Sequence, residues 1–435
     1  MSERNGWGTG SFRRAEGSDG SAAEDLGSAW ARYPVSDAGT VVARPAGVGD
    51  YRWIGDSADL GTLVDELLGC DAYGLDTEFH RERTYFPRLA LLQIAWEGGI
   101  ALVDPLAVDI SPFAKVLDGP GLAIIHAAEQ DLEVLERACG TVPSRLFDTQ
   151  LAAGFLGHVS PSLVKLVEHV LGVRLLKGDQ LTDWTQRPLS AGQLSYAAGD
   201  VAHLLALRQC IGLRLEGMGR TEWADEEFAI MLSKDRTPTV PEEAWWRLPR
   251  SRQLRGSSRG VAQCVAAWRE SRAQRMDLPV RFVLPDLALL SIAQHPPKTR
   301  EDLRRTRSLD GRHLGGGAAE ELLAAAAEGL ELDPSALRLP PSHDHEQPAR
   351  AVTALATAYV AQRAGDLELD PAILATRADL VEFMQDPPEG RLARGWRNNL
   401  IGDGLRRLAE GDAALSFDGH GSLVLEERSF RPVVR

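Results

Sequence analysis

The sequence has few cysteines and no long apolar run. Its four cysteines lie far apart, with no Cys-x-x-Cys pair, so neither a zinc site nor a disulfide framework is indicated, and a reducing compartment fits. No stretch approaches the ~20 apolar residues that a membrane span needs, and no basic-then-apolar leader opens the chain. We therefore expect a cytoplasmic protein that is neither exported nor embedded in a membrane.

Positive charge is scarce overall but locally concentrated. The chain has 48 Lys and Arg against 62 Asp and Glu, a net charge of −14, which argues against a protein that coats nucleic acid through bulk charge. Between Lys234 and Arg312, however, 17 basic residues face 9 acidic ones, an excess of 8. This basic middle segment suits contact with a nucleic-acid backbone, or it is a solvated face that contributes only solubility.

The 435 residues, 44% of them hydrophobic, are enough for two to four packed domains. Residues 1–48 are rich in Gly, Ser, Ala and Asp and read as a disordered tail. From residue 51 to about 213, strand and helix patterns predict a mixed α/β sheet with helices packed on it, and successive strands at 73–79, 89–96 and 100–103 predict antiparallel hairpins. After residue 235 helical patterns dominate, and a Pro-rich linker at 340–345 divides them into two small all-α modules.

One predicted strand carries two acids. Asp76 and Glu78 stand at i and i+2 in Tyr73-Gly74-Leu75-Asp76-Thr77-Glu78-Phe79, so they project from one strand face. Their repulsion is relieved if a divalent cation lies between them, and oxygen ligands favour Mg²⁺ or Mn²⁺ over Zn²⁺. A solvent-facing strand edge with incidental acids is the alternative.

Three further residues extend this pattern. Asp131 opens a helix directly after the predicted strand 122–125, near a sheet edge where sites usually lie, although a helix-capping acid is the simpler explanation for it alone. Tyr196 and Asp200 are four apart in a helical segment, so the phenol and the carboxylate share one helix face. The alternative to a functional role is that Tyr196 and Asp200 form a buried, hydrogen-bonded pair that only stabilises the fold.

Taken in order, these segments resemble ribonuclease D. Residues 76–87, 126–132 and 196–201 are similar to that family's three exonuclease motifs, and residues 147–150 and 182–189 to intervening segments. Tyr196, four residues before the last Asp, marks the tyrosine branch of the four-carboxylate 3′-5′ exonucleases, because the histidine branch has its His at the position of Ser195. The segment at 261–286 resembles the helical domain shared by helicase and ribonuclease D C-termini, and residues 375–380 with 395–397 resemble a second such module.

The resemblance implies a fold and a domain order. It predicts a ribonuclease H-like, mixed-sheet exonuclease domain at 49–235, followed by two helical HRDC-like domains at 236–334 and 346–425. It also implies that Asp76, Glu78, Asp131 and Asp200 hold two divalent metal ions, Mg²⁺ or Mn²⁺, and that Tyr196 orients the attacking water. A phenol with an ordinary pKa near 10 is a poor general base at neutral pH, so positioning is the expected role.

Several other residues are candidate substrate contacts. Arg81, Arg83 and Lys177 can grip phosphates, while Phe79, Tyr85 and Trp184 can stack on terminal bases; Thr77 lies between the two strand acids. Each has an ordinary alternative, which is solvated charge for the basic residues and packing for the aromatic ones.

We therefore predict a monomeric, metal-dependent 3′-5′ exoribonuclease that releases nucleoside 5′-monophosphates from single-stranded or tRNA-like RNA 3′ ends, in the maturation of tRNA or other stable RNA precursors. Two alternatives stay open. The same carboxylates could serve a 3′-5′ exonuclease on single-stranded DNA, since no motif identifies contacts to the 2′-hydroxyl. The fold could also be a catalytically silent nucleic-acid-binding scaffold, which the intact set of five residues argues against.

Overall fold

A computed structural model describes residues 50–175, 182–340, 350–385 and 388–429. Its first part is built on a sheet whose strands follow the predicted positions closely. The strands are β1 (Tyr51–Ile54), β2 (Ala72–His80), β3 (Arg88–Trp96), β4 (Gly99–Val103), β5 (Leu122–Ile125) and β6 (Leu146–Asp148).

The described strands form one mixed sheet in the order β1-β4-β3-β2-β5-β6. Strand β2 pairs antiparallel with β3, as β3 does with β4, which confirms the predicted hairpins; β2 also pairs parallel with β5, and β5 with β6. In the β2–β3 ladder Glu78 faces Leu91 and Phe79 faces Leu89, so a bulge at Ala90 lies beside the two acids of β2. Bulges change the direction of neighbouring side chains, and this bulge in β3 lies opposite the end of β2, the strand that carries the acids.

Helices cover both faces of the sheet, which explains why β3 is apolar almost throughout. They are α1 (Ser57–Leu68), α2 (Ala114–Leu117), α3 (Glu129–Cys139), α4 (Thr149–Gly154), α5 (Leu163–Leu171), α6 (Ala191–Ala202), α7 (Leu204–Gly217) and α8 (Thr221–Leu232).

The helical segment that carries Tyr196 and Asp200 is followed directly by a second helix, because the chain breaks at His203 between α6 and α7. This break lies against β2 at Gly74, where an added Cβ would be 3.0 Å from the Leu204 Cβ and 3.4 Å from the Val201 carbonyl oxygen. The glycine therefore lets the helices approach β2 two residues before Asp76.

The first helical module follows a linker. It contains α9 (Ser257–Met276), α10 (Val280–Val283), α11 (Asp286–Gln294), α12 (Arg300–Arg305) and α13 (Ala318–Glu331), with 3-10 turns at Pro241–Arg247, Ser251–Gln253, Gly311–Leu314 and Pro334–Ala336. Its buried apolar residues form a cluster separate from that of the sheet, centred on Trp245, Val265 and Leu289. This module has its own hydrophobic core.

The second helical region is α14 (Arg350–Asp366), α15 (Pro371–Leu374), α16 (Arg377–Phe383), α17 (Gly395–Arg397), a π-helical turn at Asn398–Gly402 and α18 (Asp403–Glu410). It ends in a hairpin that the helical prediction for this region lacked, β7 (Ala413–Phe417) with β8 (Leu423–Glu427). The signal was in the sequence: Asp-Gly-His-Gly at 418–421 stands between two apolar runs, a typical hairpin pattern.

The second region shares one continuous core with the sheet. Trp396 stacks on Trp223 of α8, with ring centroids 5.1 Å apart. Beside it the Arg397 guanidinium, 1% exposed, forms an ion pair with Glu227 of α8 and donates to the Ile373 carbonyl at 2.7 and 3.0 Å. This region is therefore fixed to the sheet by buried contacts.

The first module meets the sheet through polar contacts instead. The Tyr85 hydroxyl, in the loop after β2, donates to Glu270 of α9 at 2.5 Å, and Gln274 donates to that hydroxyl at 3.1 Å. The Asp277 carboxylate accepts from the backbone N–H groups of Tyr85 and Phe86 at 3.1 and 3.0 Å. The end of α9 thus holds the loop that follows the strand with the two acids.

The architecture confirms the predicted fold class of a mixed-sheet α/β domain followed by two mainly helical modules, the second of which also contains the β7–β8 hairpin. In the part of the chain that the structure describes, no helix has both the length and the apolar character needed to cross a bilayer.

The buried ion pair predicts a large stability difference. We expect Arg397→Met to lower the free energy of unfolding by about 3–5 kcal/mol, because it leaves Glu227 buried with only Arg391, 3.6 Å away, as a partner. Arg174→Met is the control: its pair with Glu168 is exposed, so its loss should cost less than about 1 kcal/mol. Urea unfolding of the full chain measures both, and equal shifts would contradict the assignment.

Candidate active site

Strand β2 brings two acids to one face of the sheet near its carboxyl end. Asp76 and Glu78 lie there together, as the i, i+2 spacing predicted, and they meet Asp200 from helix α6. One carboxylate oxygen from each of these three residues lies within 4.8 Å of the others, and all three residues are half-buried. Two distant segments of the sequence therefore converge on a single acidic cluster.

Helix α6 supplies Tyr196 as well as Asp200. A capping box between Ser190 and Gln193 fixes the start of this helix, and its small residues Ala197 and Ala198 are fully buried against the sheet. The Tyr196 hydroxyl donates a hydrogen bond to the Asp200 carboxylate, one helical turn away. The predicted pairing of phenol and carboxylate on one helix face is therefore present.

Asp131 adjoins the cluster from helix α3. It is 6% exposed, and its Oδ1 accepts a 2.5 Å hydrogen bond from the Thr77 hydroxyl on the opposite face of β2 from Asp76. The turn into α3 is held by Asp148, which accepts from the N–H groups of Ala127 and Ala128 at 3.2 and 2.8 Å. Ala127 has a φ of 59°, a costly conformation for a non-glycine residue that these bonds help to maintain.

Burial and mutual repulsion make this cluster hold protons. Burial, with the charges of Asp200 and Asp131, raises the pKa of Glu78 to about 8. Burial raises the pKa of Asp200 to about 7, against the hydrogen bond from Tyr196, and that of Asp131 to about 7, against the one from Thr77. The pKa of Asp76 lies well above its ordinary value, first because of burial and then because of the other three acids.

These residues fit a divalent metal. The donors are carboxylate oxygens, which hard cations prefer, and they are close enough to share an ion. Burial and the neighbouring acids raise the pKa values of Asp76 and Glu78, so these carboxylates carry a repulsion that a positive charge would relieve. A bound cation would supply the missing positive charge.

Trp184 packs behind Tyr196 instead of lying at the surface. Only 4% of its side chain is exposed, and its ring centroid is 6.0 Å from that of Tyr196. Arg187 anchors its loop by donating to the Trp184 carbonyl, to Asp104 at 2.6 and 2.8 Å, and to the Ala90 carbonyl in the bulge. Trp184 is therefore packed in the interior, the position that the alternative to base stacking predicts for it.

The other candidate contacts differ in accessibility. Arg83 is exposed, whereas Arg81 is partly exposed and paired with Glu133 of α3. Phe79 is half-buried and Thr77 is buried, so only the first presents a surface to a ligand. Lys177 lies outside the described residues.

The geometry agrees with two family matches. Residues 51–216 match the family described as 3′-5′ exonuclease, and residues 258–325 match the HRDC domain. Sheet, acid cluster and family match together define a 3′-5′ exonuclease. Proteins named ribonuclease D from Gluconacetobacter diazotrophicus and Bartonella henselae are 35% and 33% identical to the chain over 86% and 83% of its length, and 96% and 90% of theirs. The chain belongs to the ribonuclease D family.

A solved structure supports this assignment. Escherichia coli RNase D, described as an exoribonuclease involved in structured RNA processing, superposes with a TM-score of 0.75 at 30% identity, over 83% of this chain and 99% of its own. The resemblance drawn from the motifs is confirmed, and the chain is a 3′-5′ exoribonuclease of a family that uses divalent metals.

The raised pKa values predict how metal binding depends on pH. Because these carboxylates titrate higher in the folded than in the unfolded protein, the metal-free fold binds more protons and loses stability as pH rises from about 4 to about 8. A cation binds the deprotonated form, so its stabilising effect should grow across the same range. We expect Mn²⁺ to raise the melting temperature more at pH about 7.5 than at pH about 6. At a Mn²⁺ concentration 100 times its Kd, binding should raise the free energy of unfolding by about 2.7 kcal/mol.

Asp200→Asn is the control for this measurement, because it removes one charged carboxylate of the cluster and keeps the side-chain size. Its Mn²⁺-induced shift should be much smaller at both pH values. A shift that is independent of pH, or equal in the variant, would contradict metal binding at these acids.

Proposed function

We propose that Asp76, Glu78, Asp131 and Asp200 hold two divalent ions, Mg²⁺ or Mn²⁺, and that this site cleaves the 3′-terminal phosphodiester bond of RNA. The convergence of three carboxylates within 4.8 Å is the observation that carries this proposal. Bound ions would activate water and stabilise the leaving 3′-oxygen. In the hydrolysis, water oxygen bonds to phosphorus, the P–O3′ bond breaks, the new chain end gains a proton, and a nucleoside 5′-monophosphate leaves.

In this proposal Tyr196 positions the attacking water. Its hydroxyl is already oriented by Asp200, and its ring is supported by Trp184, so the phenol has little freedom to turn. Thr77 acts on Asp131 and not on substrate, since it is buried and donates to that carboxylate. Arg83 and Phe79 are the candidates for RNA contact whose side chains are accessible. Arg81 is a further candidate if it leaves its ion pair with Glu133, and Lys177 is another.

The substrate proposed for this site is a single-stranded RNA 3′ end on a tRNA or another stable RNA precursor. The E. coli relative, described as acting in structured RNA processing, supports this class. We propose domain limits of 49–235 for the exonuclease and 236–334 and 346–425 for two HRDC-like modules. The basic excess at 234–312 suits contact with RNA backbone away from the cut. We further propose that a cytoplasmic monomer is active, because one chain supplies all five site residues.

The first test compares matched 5′-labelled RNA and DNA oligonucleotides with Mg²⁺ or Mn²⁺. We expect a ladder that shortens from the 3′ end on RNA, with no product in EDTA. Asp76→Asn should slow cleavage roughly a thousandfold, because metal ions supply several kcal/mol of transition-state stabilisation. Equal or faster loss of DNA would favour a DNA exonuclease, and binding without cleavage would indicate a silent scaffold.

A second test concerns Tyr196. Tyr196→Phe removes the hydroxyl and keeps the ring against Trp184, so kcat on RNA should fall about a hundredfold while Mn²⁺ affinity changes little. Tyr359→Phe, in the second helical region, is the matched control and should leave kcat unchanged. If Tyr196→Phe keeps full activity, the hydroxyl does not position the water.

A further inference from the structure

Strand β3 contains one polar side chain in an otherwise apolar run. From Leu89 to Trp96 every residue is hydrophobic except Gln93, which is 0% exposed. Neither its amide nitrogen nor its carbonyl oxygen has a hydrogen-bond partner among the described residues. Burying a polar group without a hydrogen-bond partner destabilises the fold, so a leucine here would give a more stable strand.

The register of the sheet places Gln93 beside the metal-binding acids. In the antiparallel β2–β3 ladder the residue directly opposite Gln93 is Asp76. Opposite residues project from the same face, with Cβ atoms about 4.5–5.5 Å apart. Helix α6, which carries Tyr196 and Asp200, packs on β3 and β4.

The length of the glutamine side chain suits this position. Its amide stands two methylene groups from the backbone, a length suited to the separation of about 4.5–5.5 Å between the Cβ atoms of opposite residues. The other neighbour of Gln93 across the sheet is Leu102 of β4, which offers no hydrogen-bonding side chain. Asp76 is therefore the cross-strand neighbour that can accept from the amide.

We propose that Gln93 is a positioning residue whose side-chain N–H donates to the Asp76 carboxylate and holds it in the orientation that binds a divalent ion. This inference rests on the metal site proposed above. Residues that hydrogen-bond to metal-binding carboxylates orient them, and losing such a partner typically weakens metal affinity about tenfold to a hundredfold.

Gln93→Met tests this role, because methionine keeps the unbranched shape and removes both polar atoms. We expect the affinity for Mn²⁺ alone, measured by titration calorimetry, to fall about tenfold to a hundredfold. The metal-free variant should melt at the same temperature as the parent or higher, since an unpaired buried amide has been removed. A merely structural glutamine would give the reverse: a less stable metal-free protein with unchanged Mn²⁺ affinity.

Two further variants make each outcome decisive. Leu92→Met alters a buried neighbour on the other face of β3 and should leave Mn²⁺ affinity unchanged. Asp76→Asn tests the site itself: if it leaves Mn²⁺ binding intact, the proposed metal site is wrong. If Asp76→Asn abolishes binding while Gln93→Met keeps full affinity, only the role of Gln93 is overturned. Should Gln93→Met fail to fold, Gln93→Leu provides the same comparison.

Discussion

The repulsion among the acids that meet near the end of β2 is the constraint on which the rest of this domain depends. Left to themselves, carboxylates this close would separate or take up protons, and the raised pKa values of Asp76 and Glu78 reflect that tendency. The fold holds them together with rigid neighbours. Gly74 lets the α6–α7 junction come close to β2, Thr77 ties Asp131 to the same strand, and Asp148 fixes the turn that leads into α3. A cation bound to the deprotonated acids, as proposed for this site, would restore the stability given up here.

Much of this site follows from the sequence, because the motifs carry their own spacing. An i, i+2 pair on a strand and an i, i+4 pair on a helix have fixed geometry, so the shared faces of Asp76 with Glu78 and of Tyr196 with Asp200 were predictable. The strand positions were predictable for a similar reason, since short apolar runs between turn residues leave little choice. The family assignment followed from the order of the motifs and not from any one of them.

What the sequence did not reveal depends on contacts between segments. The burial of Trp184 requires knowing that Arg187 reaches Asp104 and the Ala90 carbonyl, which lie far away in the chain. The pairing of Gln93 with Asp76 requires the strand register, and a one-residue slip would place the amide on the other face. The helix break at His203 could not be predicted, because no glycine or proline lies at that position. The β7–β8 hairpin differs from these cases because its turn residues at 418–421 indicated it in the sequence. It was missed because the whole region was interpreted as helical.

The two helical regions are attached to the sheet by different kinds of contact. The second region shares its core with the sheet and adds the buried Arg397–Glu227 pair, so separating it would expose apolar surface and a charge. The first module keeps its own core and contacts the sheet through the polar groups of Tyr85, Glu270 and Asp277, which water can replace at small cost. Separating the first module from the sheet is therefore less costly than separating the second. Its contacts fall on the loop directly after β2, the strand that carries Asp76 and Glu78.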